Sequence, residues 1–190
     1  DALFEAARAR GMRLVAGKVL MDRNAPPQLC DTAERSYEDS AALIERWHGL
    51  DRLTYAVTPR FAPTSTPEQL EAAGALCKRH PDVLMQTHLS ENLGEIEWVK
   101  SLYPDRIDYT DVYDHFGLLG PGALFGHGIH LSAREREVLS ASGSKVVFCP
   151  SSNLFLGSGL IDLDALDGAG VDVPIASDVG GGTSLSMLAT

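Results

Sequence analysis

Long apolar runs, clustered positive charge and paired cysteines are all scarce in this chain, and each scarcity removes a class of function. No run reaches membrane-spanning length and there is no basic-then-apolar leader, so nothing points to a membrane or to secretion. The net charge is −10 over 190 residues, and no Lys/Arg cluster of the kind that grips phosphate backbones is present, which sets nucleic acid aside as a partner. Cys30, Cys77 and Cys149 are odd in number, widely spaced and without a C-x-x-C pair. That argues against a disulfide framework and a thiolate zinc site, and it fits a reducing cytoplasm. Linkers and repeats are also missing, and no glycine-rich phosphate turn follows the first apolar run.

What remains is an ordinary globular composition, 44% apolar and 22% charged, on a chain long enough for one sizeable core. Apolar runs at residues 14–21, 53–58, 83–88, 123–127, 145–149 and 172–178 read as strands. Helical patterns lie between them. One occupies residues 2–10; a second starts at Ser36-Tyr37-Glu38-Asp39 and ends at Gly49. Two open on capping boxes, Thr66-Pro67-Glu68-Gln69 and Ser132-Ala133-Arg134-Glu135. Others are expected at residues 92–102, at 160–166 and after Gly180-Gly181-Gly182, while residues 103–121 read as a long loop with room for some helix. The runs are continuously apolar rather than alternating, the mark of a parallel sheet covered by helices. Six strand–helix units are visible, whereas a closed barrel needs eight in about 250 residues. The expectation is an α/β fold, a partial TIM-type (β/α)8 barrel forming one incomplete domain over residues 1–190, with the first two strands and the C-terminal part missing.

The residues that carry chemistry sit where these strands stop. His88 ends the third, His127 the fourth and Asp178 the sixth, and Arg60 and Phe61 follow Pro59 at the end of the second. Imidazole nitrogen and carboxylate oxygen are what a hydrolytic zinc takes, and bound zinc brings the pKa of its water toward neutrality. Glu91, three residues past His88, can share that site without binding the metal. Asp178 could both touch the metal and accept the water's proton, and His127 could bind metal or orient the nucleophile. Each residue also has a plainer reading: a satisfied strand-end histidine, a Ser-Asp turn before glycines, an arginine in a surface ion pair beside a packed phenylalanine. The coincidence of several such stops at one sheet edge favours a site. His48 and His80, at helix ends, read as structural.

Thr87-His88-Leu89-Ser90-Glu91, Gly126-His127-Gly128, Cys149-Pro150-Ser151-Ser152-Asn153 and Ser177-Asp178 together resemble the amidohydrolase superfamily, in its branch of zinc deaminases and chlorohydrolases. Within it, Gly17-Lys18-Val19-Leu20-Met21-Asp22, Thr58-Pro59-Arg60-Phe61-Ala62-Pro63 and Asp178-Val179-Gly180-Gly181-Gly182 leading to Ser186-Met187-Leu188 are similar to the guanine deaminase family. The resemblance implies strands 3–8 of the metal-dependent hydrolase barrel, Zn2+, and hydrolysis of guanine to xanthine and ammonia in cytoplasmic purine catabolism, by a protein that pairs as a homodimer when complete. It implies zinc ligation by His88 and Asp178, with His127 as a third candidate. Glu91 would be the proton shuttle, His127 would hold the attacking water, and Arg60, Phe61, His88 and Glu91 would contact the purine. One departure stands out: the family's His-x-His zinc motif is absent from these residues. A sibling hydrolase of another purine, a pyrimidine or a triazine, and a non-catalytic barrel scaffold, are the competing readings.

Overall fold

Parallel strands demand long crossovers, and the computed structural model, which describes residues 1–186, makes them with helices, several of which open on side-chain caps. The chain divides into two compact units, residues 1–86 with 116–118, and residues 87–115 with 119 onward.

In the first unit, α1 (Ala2–Ala9) leads to β1 (Leu14–Ala16) and β2 (Val19–Leu20), followed by α2 (Ala33–Trp47), β3 (Leu53–Pro59), α3 (Pro67–Arg79) and the start of β4 (Leu84–Leu89). All pairings are parallel: Leu14 lies opposite Leu53, Val19 opposite Thr58, and Ala56 opposite Leu84. The single strand expected at residues 14–21 is therefore two short ones. Between them the Lys18 amide donates to the Tyr55 hydroxyl at 3.1 Å instead of to the β3 backbone. The Gly17 backbone presses so close to β3 that a Cβ there would stand 1.7 Å from the Ala56 carbonyl oxygen.

Helix starts follow side-chain oxygens. Thr32, not Ser36, caps α2, accepting the Arg35 amide. Thr66 caps α3 as expected, accepting the Gln69 amide at 3.3 Å, but the return bond is missing. Gln69 is buried and donates to Ser36 Oγ at 3.0 Å, and Asp22 takes the Thr66 amide (2.8 Å) and hydroxyl (2.5 Å) in its place. The buried rings of Phe4, Trp47 and Tyr55 stack in this unit, Phe4 lying 5.6 Å from Trp47 and 6.3 Å from Tyr55. Each buries a large apolar area, about 1.5–3 kcal/mol per such side chain.

Lys18 reaches from the strand break to Asp31 and Asp39. Burial pushes the Lys18 ammonium down and the Asp31 carboxyl up, but their mutual hydrogen bond and charge outweigh it, leaving Lys18 above and Asp31 below its ordinary value. A depressed carboxyl stabilises the fold above its unfolded pKa, and that contribution is lost as pH falls through the folded one. Melting temperature is therefore expected to drop below about pH 4, and Asp31→Asn is expected to flatten that acid limb in a thermal melt series.

The second unit contains the end of β4, α4 (Leu93–Leu102), α5 (Tyr109–His115), β5 (Ala123–His127), α6 (Ala133–Ser142), β6 (Lys145–Val147), α7 (Pro150–Phe155) and α8 (Leu163–Ala169). Phe125 lies opposite Val146 in the parallel β5–β6 pair. Residues 172–176 run beside β6 as expected, but form a single bridge, Phe148 to Ile175. Pro174 has no N–H to continue the ladder. The Ser132–Glu135 capping box is complete, Gly143 closes α6 in the left-handed conformation, and a second complete box, Asn92–Glu95, opens α4. Helix α5 occupies the middle of the expected loop, and α7 starts directly on Pro150, which is preset for a first helical position. Residues 183–186 are not helical, and the rest of the helix expected after Gly182, with Met187 and Leu188, lies outside the described residues. Among the described residues no helix is long and apolar enough to cross a membrane, and all three cysteines are free thiols.

Candidate active site

The pleat of β4 puts Thr87 and Leu89 in the core and leaves His88, on the other face, half-buried. The strand stops at Ser90, whose φ of 49° lies in the left-handed region. The turn is then fixed by Glu95, which accepts the amides of Glu91 at 2.9 Å and Asn92 at 3.4 Å. Burial raises the Glu95 pKa against the pull of the Tyr109 hydroxyl and those two amides. Glu91 itself is half-buried, its Oε1 3.4 Å from the Ser158 hydroxyl.

β5 ends at His127, with φ 74° and 2% exposure. Its ring lies 5.3 Å from that of His88, tilted by 32°. Nδ1 is 3.3 Å from Asn153 Oδ1. An amide oxygen only accepts, so Nδ1 is the donor in this contact and Nε2 is the nitrogen left facing Glu91. That nitrogen stands 3.7 Å from Glu91 Oε2, too far for a hydrogen bond and close enough for both to reach one small molecule between them.

Asp178 ends the segment beside β6, again with positive φ (49°). The chain folds back on it: Gly182 N–H donates to its carbonyl at 2.6 Å, and a Cβ at Gly181 would stand 2.7 Å from Asp178 Oδ2. At Gly182 the requirement for glycine is steric, since a Cβ there would stand 2.1 Å from the Ser177 carbonyl oxygen. Cys149 reports the local field. Its thiol is pushed up to about 11, first by burial and next by the charge of Asp178, with a smaller push from Glu91; the His127 amide bonded to it pulls the other way. Among the described residues, three of the five non-glycine residues with positive φ, Ser90, His127 and Asp178, fall at these strand ends.

The second unit thus gathers His88, Glu91, His127 and Asp178, while Arg60 and Phe61 belong to the first. There the exposed Arg60 guanidinium lies over the Phe61 ring, 4.8 Å from its centroid, a cation–π pair at the end of β3. His48 is structural: Nδ1 accepts the Tyr55 amide at 3.1 Å and Nε2 meets Asp82 at 3.0 Å. The donor types suit zinc, but among the described residues no three His, Cys, Asp or Glu side chains come together closely enough to hold a metal ion. This stretch supplies donors without a complete ligand set. The partner residues Asn153, Tyr109, Tyr113 and Glu95 have no role in the strand-end pattern. The four-residue spacing of the tyrosines and the Asn92-x-x-Glu95 cap pattern are the signals that mark Tyr109, Tyr113 and Glu95, and Asn153 is marked only by its place in the Cys149–Asn153 motif.

The model of the amidohydrolase family matches residues 1–190. The guanine deaminase of Escherichia coli K12 is 54% identical over 190 residues, all of this chain and 43% of its own length. Its solved structure superposes with a TM-score of 0.98 over 99% of this chain and 44% of that one. The probable guanine deaminase of Deinococcus radiodurans is 47% identical over 188 residues, 99% of this chain and 43% of its own length. A crystal structure of guanine deaminase from C. acetobutylicum, with guanine in its active site, is 34% identical with a TM-score of 0.91, covering 95% of this chain and 43% of that one. These likenesses bear out the expected partial TIM-type barrel. This chain spans well under half the length of the curated relatives it matches.

Proposed function

The chain belongs to the amidohydrolase family, and from that premise we propose that the full-length protein hydrolyses guanine to xanthine and ammonia. The observation that carries this reading is the opposed pair at the strand ends, Glu91 Oε2 and His127 Nε2, 3.7 Å apart. The identity of 54% with a guanine deaminase supports the choice of substrate. His127, whose Nδ1 faces Asn153 Oδ1, accepts a hydrogen bond from the attacking water at Nε2 and aims it. Glu91 takes the water's proton as its oxygen bonds to the ring carbon bearing the amine, and gives it to the ring nitrogen. A second proton, again through Glu91, converts the amine to ammonia as the C–N bond breaks, so one water is consumed and one ammonia released. Asp178 is placed to share the proton traffic. Arg60 and Phe61 supply a guanidinium donor and an aromatic face for a flat ring. Zinc, for which His88 and Asp178 are the matching donors, supplies acidification of the water when bound, with its remaining ligands outside these residues. The three free thiols support a reducing, cytoplasmic setting.

The test is xanthine formation from guanine by the full-length protein, with zinc and with a chelator. Chelator-sensitive turnover is the expected result, and Arg60→Ala is expected to lower kcat/KM about 10–100-fold. Turnover of a triazine or another purine but not guanine would hand the reading to a sibling hydrolase. No turnover by a protein lacking bound metal would favour a scaffold.

A further inference from the structure

Two tyrosines of one short buried helix hold both ends of the turn that carries His88 and Glu91. Tyr109 and Tyr113 stand four residues apart on α5, and their rings stack with centroids 5.4 Å apart. Tyr113, with no solvent exposure, donates to the His88 carbonyl at 2.8 Å and meets Thr87 Oγ1 at 3.0 Å. Tyr109 donates to Glu95 Oε1 at 2.8 Å, and the other Glu95 oxygen accepts the Glu91 amide at 2.9 Å. A hydroxyl has one proton to give, so Tyr113 is committed to the strand end and Tyr109 to the carboxylate. Capping α4 requires only the bond from Glu95 to the Asn92 amide, which is 3.4 Å; the shorter bond goes one residue further back, to Glu91 itself.

We propose that Tyr113 and Glu95 are positioning residues that set the separation and angle between the His88 imidazole and the Glu91 carboxyl, Tyr113 from the strand side and Glu95 from the helix side. The inference rests on the reading of Glu91 as the proton carrier. Neither residue touches the reacting atoms. Each acts by fixing a backbone group next to one that does, and small misplacements of such groups cost rate steeply.

In the full-length protein, Tyr113→Phe removes one oxygen and keeps the ring. Its kcat for guanine is expected to fall about tenfold with KM and metal content unchanged. In a Glu91→Gln background the same change is expected to cost nothing more, because there is no longer a proton carrier to misplace. A purely structural role would lower the melting temperature and multiply through both backgrounds. Glu95→Gln, which keeps the shape but turns an NH2 or a weaker acceptor toward the two amides, is expected to follow the same pattern and answers the question should Tyr113→Phe not fold. An unchanged kcat in the folded variants, or the full loss repeated in the Glu91→Gln background, overturns the proposal. Should the wild-type protein not turn over guanine, the functional reading fails by itself, and positioning is read by NMR. The His88 imidazole signals are then expected to shift or double in Tyr113→Phe while those of His48 stay in place, and an unmoved His88 ring overturns it.

Discussion

Replacing Glu91 by glutamine in the full-length protein is expected to lower kcat for guanine by about 10²–10⁴-fold, the range that one positioned acid–base group contributes. The substitution keeps the side chain's length and its approach to Ser158 but removes the group that can take a proton and return it. The backbone around it should not move, because Glu95 holds the Glu91 amide rather than its carboxylate. KM and bound metal are therefore expected to stay near wild type, with the loss confined to kcat. Steady-state kinetics with metal analysis on the same sample check both halves. A rate within about threefold of wild type would remove Glu91 from the mechanism, and a loss of metal with the rate would make it a ligand instead of a carrier.

The largest effect on the fold is expected from Gly17→Ala. A Cβ at this position would lie 1.7 Å from the Ala56 carbonyl oxygen and 2.9 Å from its carbon. These are backbone atoms of β3, which is paired on one side with β1 and β2 and on the other with β4. No rotamer change can relieve the contact, so one strand must move and give up ladder hydrogen bonds. The expected cost is about 3 kcal/mol or more, at the upper end of overpacking penalties. Gly168→Ala is the matched control. Gly168 lies in α8 with nothing within 4 Å of its added Cβ, so the same chemical change there is expected to be neutral or slightly stabilising. Thermal denaturation of the pair separates the two, and equal melting temperatures would show that β3 yields to the methyl group.

Legibility in the sequence followed the range of the interaction. The strand stop at His127 and the cap at Ser132 depend on near neighbours and could be read directly, and β4 runs only one residue past the stop expected at His88. Thr66 shows where local reading ends. Its hydroxyl makes the expected bond, but the return partner is Asp22, 44 residues away, because Gln69 is spent on Ser36 in the core. The break at Gly17 likewise depends on Ala56 and Tyr55 in a neighbouring strand. Helix α5 is short and three of its four buried residues, Tyr109, Thr110 and Tyr113, carry hydroxyls, so it offers little apolar periodicity to detect. At the candidate site the residues themselves were visible as chemistry, whereas Asn153 and Tyr113 act on them from 26 and 25 residues away, and Glu95, though only four residues from Glu91, reads in the sequence as a helix cap.

The left-handed backbone at Ser90, His127 and Asp178 places the interests of the fold and of the chemistry in opposition. Glycine would occupy any of the three more comfortably, each side chain there costing on the order of 1 kcal/mol. A selection for thermal tolerance alone would therefore find gains at His127 and Asp178, whose side chains the proposed reaction uses, and those two gains would be useless. A more robust version of this protein has to look elsewhere, to helix surfaces and open glycines such as Gly168, where a methyl group meets no neighbour and competes with no function.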